Sequence, residues 1–303
     1  MTRIEIRSKT ASFLIILAVY IGAFAIGLLV FRLSYGMHIL ISTLLANIAA
    51  TLVVWGSGLL FANSSVYDPY WSVTPLAIVF LWIVIKEISF SVTDILIIAA
   101  IAIWGIRLTV NWATRWKGLH HQDWRYTMLK DKSPRLWFLT NLVGINLMPT
   151  IIVFIALVPV YFVIGEEKPL SIITVFGFIV CIYAVLIQAI SDRQMDMFKK
   201  DRSNKNKYID QGLWKYSRHP NYLGEISFWW GIWLMQMGIV PQKWATVSGP
   251  IFVTLLFIFV SIPMMERHIL ASKPSYSRYQ KQVSTLRFMP RKRMAKPTSK
   301  MKV

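Results

Sequence analysis

Trp137–Val163 reads WFLTNLVGINLMPTIIVFIALVPVYFV, a run without one charged side chain. A helix crosses the hydrocarbon core of a bilayer with about 20 apolar residues, and about 17 is the floor. Working outward, seven more apolar runs appear: Ser12–Leu33, Ile39–Ala62, Val73–Ile85, Thr93–Trp112, Leu170–Ile190, Tyr222–Gly238 and Thr246–Met265. Val73–Ile85 is short for a full crossing. The pattern predicts an all-α polytopic membrane bundle of seven to eight transmembrane helices. The composition agrees: 55% of the 303 residues are hydrophobic and only 16% are charged, against about 25% charged in soluble domains. Disorder, coiled coils and disulfide scaffolds are thereby excluded. Cys181 stands alone inside an apolar run, so no disulfide framework exists. Arg3, Arg7 and Lys9 resemble the flank of a signal peptide, but the run behind them is too long for one and reads as a true span.

The net charge of +19 would suggest nucleic acid in a soluble protein. In a membrane protein it points to basic cytoplasmic loops, anionic lipids or a polyphosphate ligand, and no nucleic-acid partner is expected. With an N-terminus inside and eight spans, the inner segments hold 28 Lys and Arg and the outer loops 4. That asymmetry favours a crossing at Val73–Ile85 and cytoplasmic termini. The expected setting is an integral multi-pass protein of a bacterial inner membrane or the endoplasmic reticulum, with its active site facing the cytoplasm. Three parts are expected: a hairpin over 1–65, a main membrane domain over 66–290 and a basic tail over 291–303.

The most specific stretch runs Gly212-Leu-Trp-Lys-Tyr-Ser-Arg-His-Pro-Asn-Tyr-Leu-Gly-Glu225. Arg218 and His219 offer donors for phosphate. Pro220 suits the first position of a helix. Asn221 and Tyr222 then fall where free N–H groups favour an anion. Glu225 shares a face with Asn221, and a carboxylate at membrane depth is costly and usually functional. An ordinary interfacial belt of Arg, Tyr and Trp uses the same residue types. Trp124-Arg125-Tyr126 suits stacking and phosphate contact, or equally an amphipathic interfacial helix over Trp112–Leu129. Asp68 precedes Pro69 and reads either as a turn residue or as an acid of raised pKa polarising a substrate carbonyl. Arg107, inside a span, is expected to pair within the bundle. His120 and His121 with Asp123 lack a third nitrogen or thiolate ligand nearby, so no metal site is expected. No GxGxxG, Walker, HExxH or GxSxG motif is present.

The Arg-His-Pro-Asn-Tyr-x-Gly-Glu string resembles the C-terminal signature of the steroid 5-alpha reductase superfamily, which also holds the sterol C14 and C7 reductases and the isoprenylcysteine carboxyl methyltransferases. Asp68-Pro-Tyr-Trp-Ser72, Arg107-Leu-Thr-Val-Asn-Trp-Ala-Thr-Arg115, Asp123-Trp-Arg-Tyr126, Asp192-Arg-Gln-x-x-x-Phe-Lys199 and Glu266-Arg-x-x-x-x-x-Lys-Pro-x-Tyr-x-x-Tyr279 are similar to its DUF1295 branch. The likeness covers nearly everything after Val66. It implies a membrane bundle with a cytosol-facing cofactor pocket in the C-terminal half, holding NADPH in the reductases. Cofactor contacts then fall to Arg115, Trp124, Arg125, Asp192, Lys199, Arg218, His219, Asn221, Tyr222, Glu225, Glu266, Arg267, Tyr276 and Tyr279. Asp68 falls where the reductases carry a substrate-polarising glutamate, and Pro75 keeps the spacing to a later proline. Their proton-donating tyrosine falls opposite Trp112, and its neighbouring histidine opposite Asn111. Tyr70 or Tyr126 would have to supply the phenol.

The expected function is therefore NADPH-dependent reduction of a carbon–carbon double bond in a lipophilic, steroid-like or isoprenoid-like enone, with Asp68, Tyr70 and Tyr126 as catalytic candidates. One rival is an S-adenosylmethionine-dependent methyltransferase on the same scaffold. Another is a lipid-binding bundle without catalysis. The basic inner loops favour the cofactor with phosphates. Partners are a lipophilic small molecule and membrane lipids.

Overall fold

The computed structural model describes residues 8–291. Arg3, Arg7 and all of the expected tail except Arg291 lie outside the described residues. Within them the fold is all helical, with one isolated β-bridge between Ser217 and Ser284. The principal helices are α1 (Lys9–Leu33), α2 (Ile39–Leu60), α3 (Tyr70–Lys86), α4 (Val92–Arg115), α5 (Trp124–Lys132), α6 (Pro134–Val163), α7 (Ile172–Lys200), α8 (Pro220–Met237), α9 (Pro241–Ser272) and α10 (Tyr276–Gln282). Among the described residues seven helical segments are long and apolar enough to span a bilayer: α1, α2, Ser64–Lys86, α4, α6, α7 and α9. The chain is thus an integral multi-pass membrane protein. Helix α8, with 18 residues, is membrane-length but carries Asn221, Glu225 and Gln236.

The third span is not short. A 3₁₀ turn at Ser64–Tyr67 leads into α3, giving 23 residues in all. The apolar run understated it because Asp68, Ser72 and the prolines lower the hydropathy, while Asp68 and Pro69 form only a two-residue turn between the 3₁₀ segment and α3. The expected helix over Trp112–Leu129 does not form. Helix α4 ends at Arg115, Gly118 takes φ +115°, and Asp123 opens α5 by accepting the Arg125 N–H at 2.9 Å. A left-handed residue and a fresh N-cap both break a continuous helix.

The described chain forms two compact units, residues 8–175 with Ile232–Gly249, and Phe176–Gly231 with 250–291. The sequence expectation of a separate 1–65 hairpin does not coincide with this division, and the 66–290 domain is split by it. In the first unit, Ile16, Tyr20 and Ala23 of α1 pack on Ala50 and Val54 of α2, and on Tyr67, Tyr70 and Trp116. At the end of the unit where α4 begins, a capping box of Ser91 and Asp94 starts that helix. Asp94, fully buried, also accepts the Gly165 N–H at 2.9 Å. Helix α6 contains a π segment, Thr140–Leu147, where Asn146 Nδ2 donates to the Asn141 carbonyl at 2.8 Å. Buried amides in a span need such partners because lipid offers none.

The second unit shows the inverted surface of a membrane protein. Phe176, Ile179, Tyr183, Leu186 and Ile190 form an exposed stripe on α7, while Cys181, Ala184 and Gln188 are buried. Helix α8 lies close to α7 because Gly224 and Gly231 lack a side chain. A Cβ at Gly231 would fall 2.6 Å from Cys181 Sγ, and one at Gly224 would fall 2.7 Å from the Ala184 carbonyl. Small residues permit this approach, which dispersion then rewards.

Candidate functional site

The first unit assembles Asp68, Tyr126 and Arg125. The loop after α4 is fastened to the turn before α3 at several points. Asn63 Nδ2 donates to the Leu119 carbonyl at 2.7 Å and to the His121 carbonyl at 3.1 Å. The Ser64 N–H donates to Gln122 Oε1 at 3.1 Å, and the Asp123 N–H to Ser65 Oγ at 2.9 Å. This stitching sets the first turn of α5 beside Asp68. Tyr126 Oη then donates to Asp68 Oδ1 at 2.5 Å, and Arg125 Nη2 lies 3.7 Å from the same oxygen. Asp123 Oδ1 accepts from Arg125 Nε at 2.7 Å and keeps the guanidinium in place. Burial, and then the charge of Asp68, push the Tyr126 phenol above its ordinary pKa, so it stays protonated at neutral pH. Asp68 is 15% exposed, the least enclosed member of the phenol–carboxylate pair.

Tyr70 is not part of this pair. Its ring packs against Tyr20, Phe24 and Tyr67. Its Oη lies 3.3 Å from Asn47 Oδ1, on the α2 side. Among the phenols proposed from the sequence, the geometry singles out Tyr126. Arg115 is exposed on the last turn of α4, and Trp124 is half-buried as the first residue of α5. Trp112 stacks on Trp116 at 4.7 Å and meets Phe13 edge-on.

The second unit gathers Arg218, His219 and Glu266 around a carboxylate. Glu266 Oε1 lies 2.8 Å from Arg218 Nε and 2.9 Å from His219 Nε2, and its Oε2 accepts from Gln280 Nε2 at 2.7 Å. Arg218 also donates through Nη1 to the Gln280 carbonyl at 2.6 Å and through Nη2 to Thr285 Oγ1 at 2.7 Å. Backbone bonds from Arg218 N to Ser284 O and from His219 N to Thr285 O run alongside. Arg218 is therefore a clamp that fastens the end of α10 and the segment after it onto the start of α8. Burial holds the His219 imidazole below its ordinary pKa despite the pull of Glu266. A neutral ring facing a carboxylate carries its proton on Nε2. The ring stacks flat on Tyr222 at 5.3 Å.

The remaining sequence candidates of this unit are distributed around that hub. Asn221 and Tyr222 sit in the first turn of α8, as the proline at its start implied. Glu225 is buried and accepts from Trp229 Nε1 at 3.0 Å. Tyr276 and Tyr279 are buried beside Tyr208, and Tyr279 Oη donates to the Trp214 carbonyl. Burial raises both phenols far above their usual range. Asp192 is half-buried on α7, and Lys199 and Arg267 are exposed. Gln280, Thr285, Asn63 and Ser65 were not marked by the sequence. Isolated amides and hydroxyls in loops carry no pattern, and only their partners reveal them. Among the described residues no group of three or more His, Cys, Asp or Glu could hold a metal ion.

No solved structure matches the chain. It is 22% identical to the uncharacterised protein C594.04c of Schizosaccharomyces pombe over 285 residues, which is 84% of this chain and 78% of that one. Residues 54–283 match the family described as "Protein of unknown function (DUF1295)". That stretch takes in the first cluster, the second except for Ser284 and Thr285, and all but the first span and a half, and the chain belongs to the DUF1295 family.

Proposed function

We propose that the protein is an NADPH-dependent reductase of a carbon–carbon double bond in a lipophilic enone. The observation that carries this reading is the Tyr126–Asp68 pair. It holds a transferable proton between two oxygens at the mouth of a membrane bundle, with a guanidinium beside it. Proton delivery to a reduced enone leaves negative charge on the pair, and Arg125 stabilises that charge. Asp68 orients the phenol, and Asp123 orients Arg125. Bound NADPH supplies the hydride.

The donor set of the second unit fits a nucleotide in part. Asn221 and Tyr222 on the first turn of α8, exposed Lys199 and Arg267, and buried Glu225 offer the anion, ribose and amide contacts such a group needs. Arg218 is engaged within the protein, so phosphate recognition falls to the other cations. The excess of Lys and Arg in the loops expected inside favours a cytoplasmic site, and that arrangement requires α8 to cross in addition to the seven apolar spans.

The engagement of Arg218 favours one second reading. A methyl donor without phosphate, S-adenosylmethionine, makes no demand on that guanidinium. Binding of each cofactor to the purified full chain separates the two. The reductase reading expects NADPH affinity in the micromolar range and enone-dependent NADPH oxidation. Affinity for S-adenosylmethionine with none for NADPH overturns it.

A further inference from the structure

We propose that one water molecule is bound inside the first unit at the Pro75 position of α3, and that it completes the hydrogen bonding of that helix. The inference is independent of the catalytic reading.

Pro75 lies inside α3, as its sixth residue. A proline has no N–H, so the Trp71 carbonyl one turn earlier loses its helical donor. In a span the freed carbonyl must find a substitute among side chains, neighbouring helices or water. Thr74 is the nearest hydroxyl on the same turn. Its Oγ1 is buried, and the Tyr70 phenol is its one hydrogen-bonding neighbour among the described residues, short of normal geometry. Trp71 and Thr74 line a cavity of about 10 Å³ between α2, α3 and α6, together with Asn47, Tyr70, Pro75 and Thr150.

Size and polarity decide what the cavity holds. A water needs roughly 10–15 Å³ and two to four polar partners. The cavity meets the lower bound for a single water, and Ile78, Val153, Phe154 and Leu157 supply the apolar part of its wall. Its polar partners are the Trp71 carbonyl as acceptor, the Thr74 hydroxyl, and the Tyr70 phenol. The phenol's contacts, 3.3 Å to Asn47 Oδ1 and 3.5 Å to Thr51 Oγ1, lie at the long edge of hydrogen bonding. A bridging water gives the carbonyl freed by Pro75 a donor and joins it to the Thr74 hydroxyl and the Tyr70 phenol. Nearby, Tyr67 Oη meets Thr150 Oγ1 at 2.8 Å, and Thr150 meets Thr51 at 3.2 Å. The water therefore joins a buried polar seam that ties three spans together. Helix α3 starts two residues after Asp68, so this seam lies within two turns of the residue that pairs with Tyr126.

The test is hydroxyl-radical footprinting of the full chain in detergent by X-ray radiolysis, read by mass spectrometry. An internal water generates the radical where it sits, so buried side chains beside it are oxidised. Tyr70 is 1% exposed and lines the cavity, whereas Tyr20 is 6% exposed and does not. The expected result is oxidation of Tyr70 several-fold above Tyr20, reduced in Thr74→Val and retained in Thr74→Ser. Oxidation of Tyr70 no greater than that of Tyr20 in the unmodified chain overturns the proposal without any variant. Thermal unfolding gives an opposed pair of outcomes. Removing a partner of a bound water lowers the midpoint in Thr74→Val, with Thr74→Ser close to the parent. A dry cavity predicts a rise instead, because Val then removes a buried hydroxyl that makes no hydrogen bond of normal geometry.

Discussion

Replacing Arg218 by alanine separates a clamp from a phosphate ligand. The side chain is 11% exposed and its partner Glu266 13%. The substitution deletes an ion pair, charge-assisted bonds to the Gln280 carbonyl and Thr285 Oγ1, and a weaker contact to the Val283 carbonyl at 3.3 Å. It leaves Glu266 with His219 and Gln280 as its neutral donors. Removing one partner of a largely enclosed pair costs about 3–5 kcal/mol. At roughly 4–8 °C per kcal/mol for a unit of about 100 residues, the midpoint falls by about 12–40 °C. Arg218→Lys keeps the charge near Glu266 but cannot reach three segments at once, and it falls in between. Cys181 supplies the assay. It is the chain's one cysteine, it is fully buried, and it belongs to the same unit. A thiol-reactive fluorophore therefore stays dark until that unit opens. An unchanged midpoint in Arg218→Ala, combined with a large loss of NADPH affinity, refutes the clamp and makes Arg218 a ligand residue.

Tyr126→Phe keeps the ring and removes the proton, and Asp68→Asn keeps the shape and removes the charge; each lowers enone turnover by roughly 10²-fold or more with cofactor affinity unchanged, measured by steady-state NADPH oxidation. Because the folded-state pKa of His219 is depressed, its contribution to stability is full above about 6.5, the ordinary histidine value, and declines as pH falls below it. Unfolding midpoints between pH 7.5 and 5 should show that decline, and His219→Gln should flatten it. In intact cells, Ser203→Cys should resist membrane-impermeant thiol reagents applied from outside; labelling there sinks the N-in topology. Asn63→Ala removes two bonds from Nδ2 and one from Oδ1. It should loosen the loop before α5, seen as faster hydrogen exchange over 116–123.

The spans were legible because hydropathy over twenty residues is a strong, local signal. Helix starts were also legible where chemistry marks them, as at Pro220. The extent of the third span was hidden because Asp68 and Ser72 find partners through the fold, and a hydropathy reading counts them only as interruptions. The break at Gly118 was hidden because a left-handed turn leaves little trace in periodicity. The RHPNY string drew attention to the right residues, yet its arginine looked like a ligand group. Only the positions of Gln280, Val283 and Thr285, more than 60 residues later, show where its donors go. Tyr70 and Tyr126 were indistinguishable as phenols. Which one meets Asp68 depends on stitching by Asn63, Ser64 and Ser65, residues that no motif marks.

Asp68 and Tyr126 are 58 residues apart in the chain. At roughly 5–20 residues per second, the ribosome delivers the phenol about 3–12 s after the carboxylate. For that interval Asp68, at the head of a membrane segment, has neither Tyr126 nor Arg125 as a neighbour. The Asn63 amide likewise waits for the backbone carbonyls of Leu119 and His121. Water at this end of α3 satisfies the carboxylate and the amide during that interval, until α5 has emerged. A product truncated before residue 125 therefore leaves Asp68 without its phenol and its guanidinium, a deficit that ends once the chain is complete through residue 126.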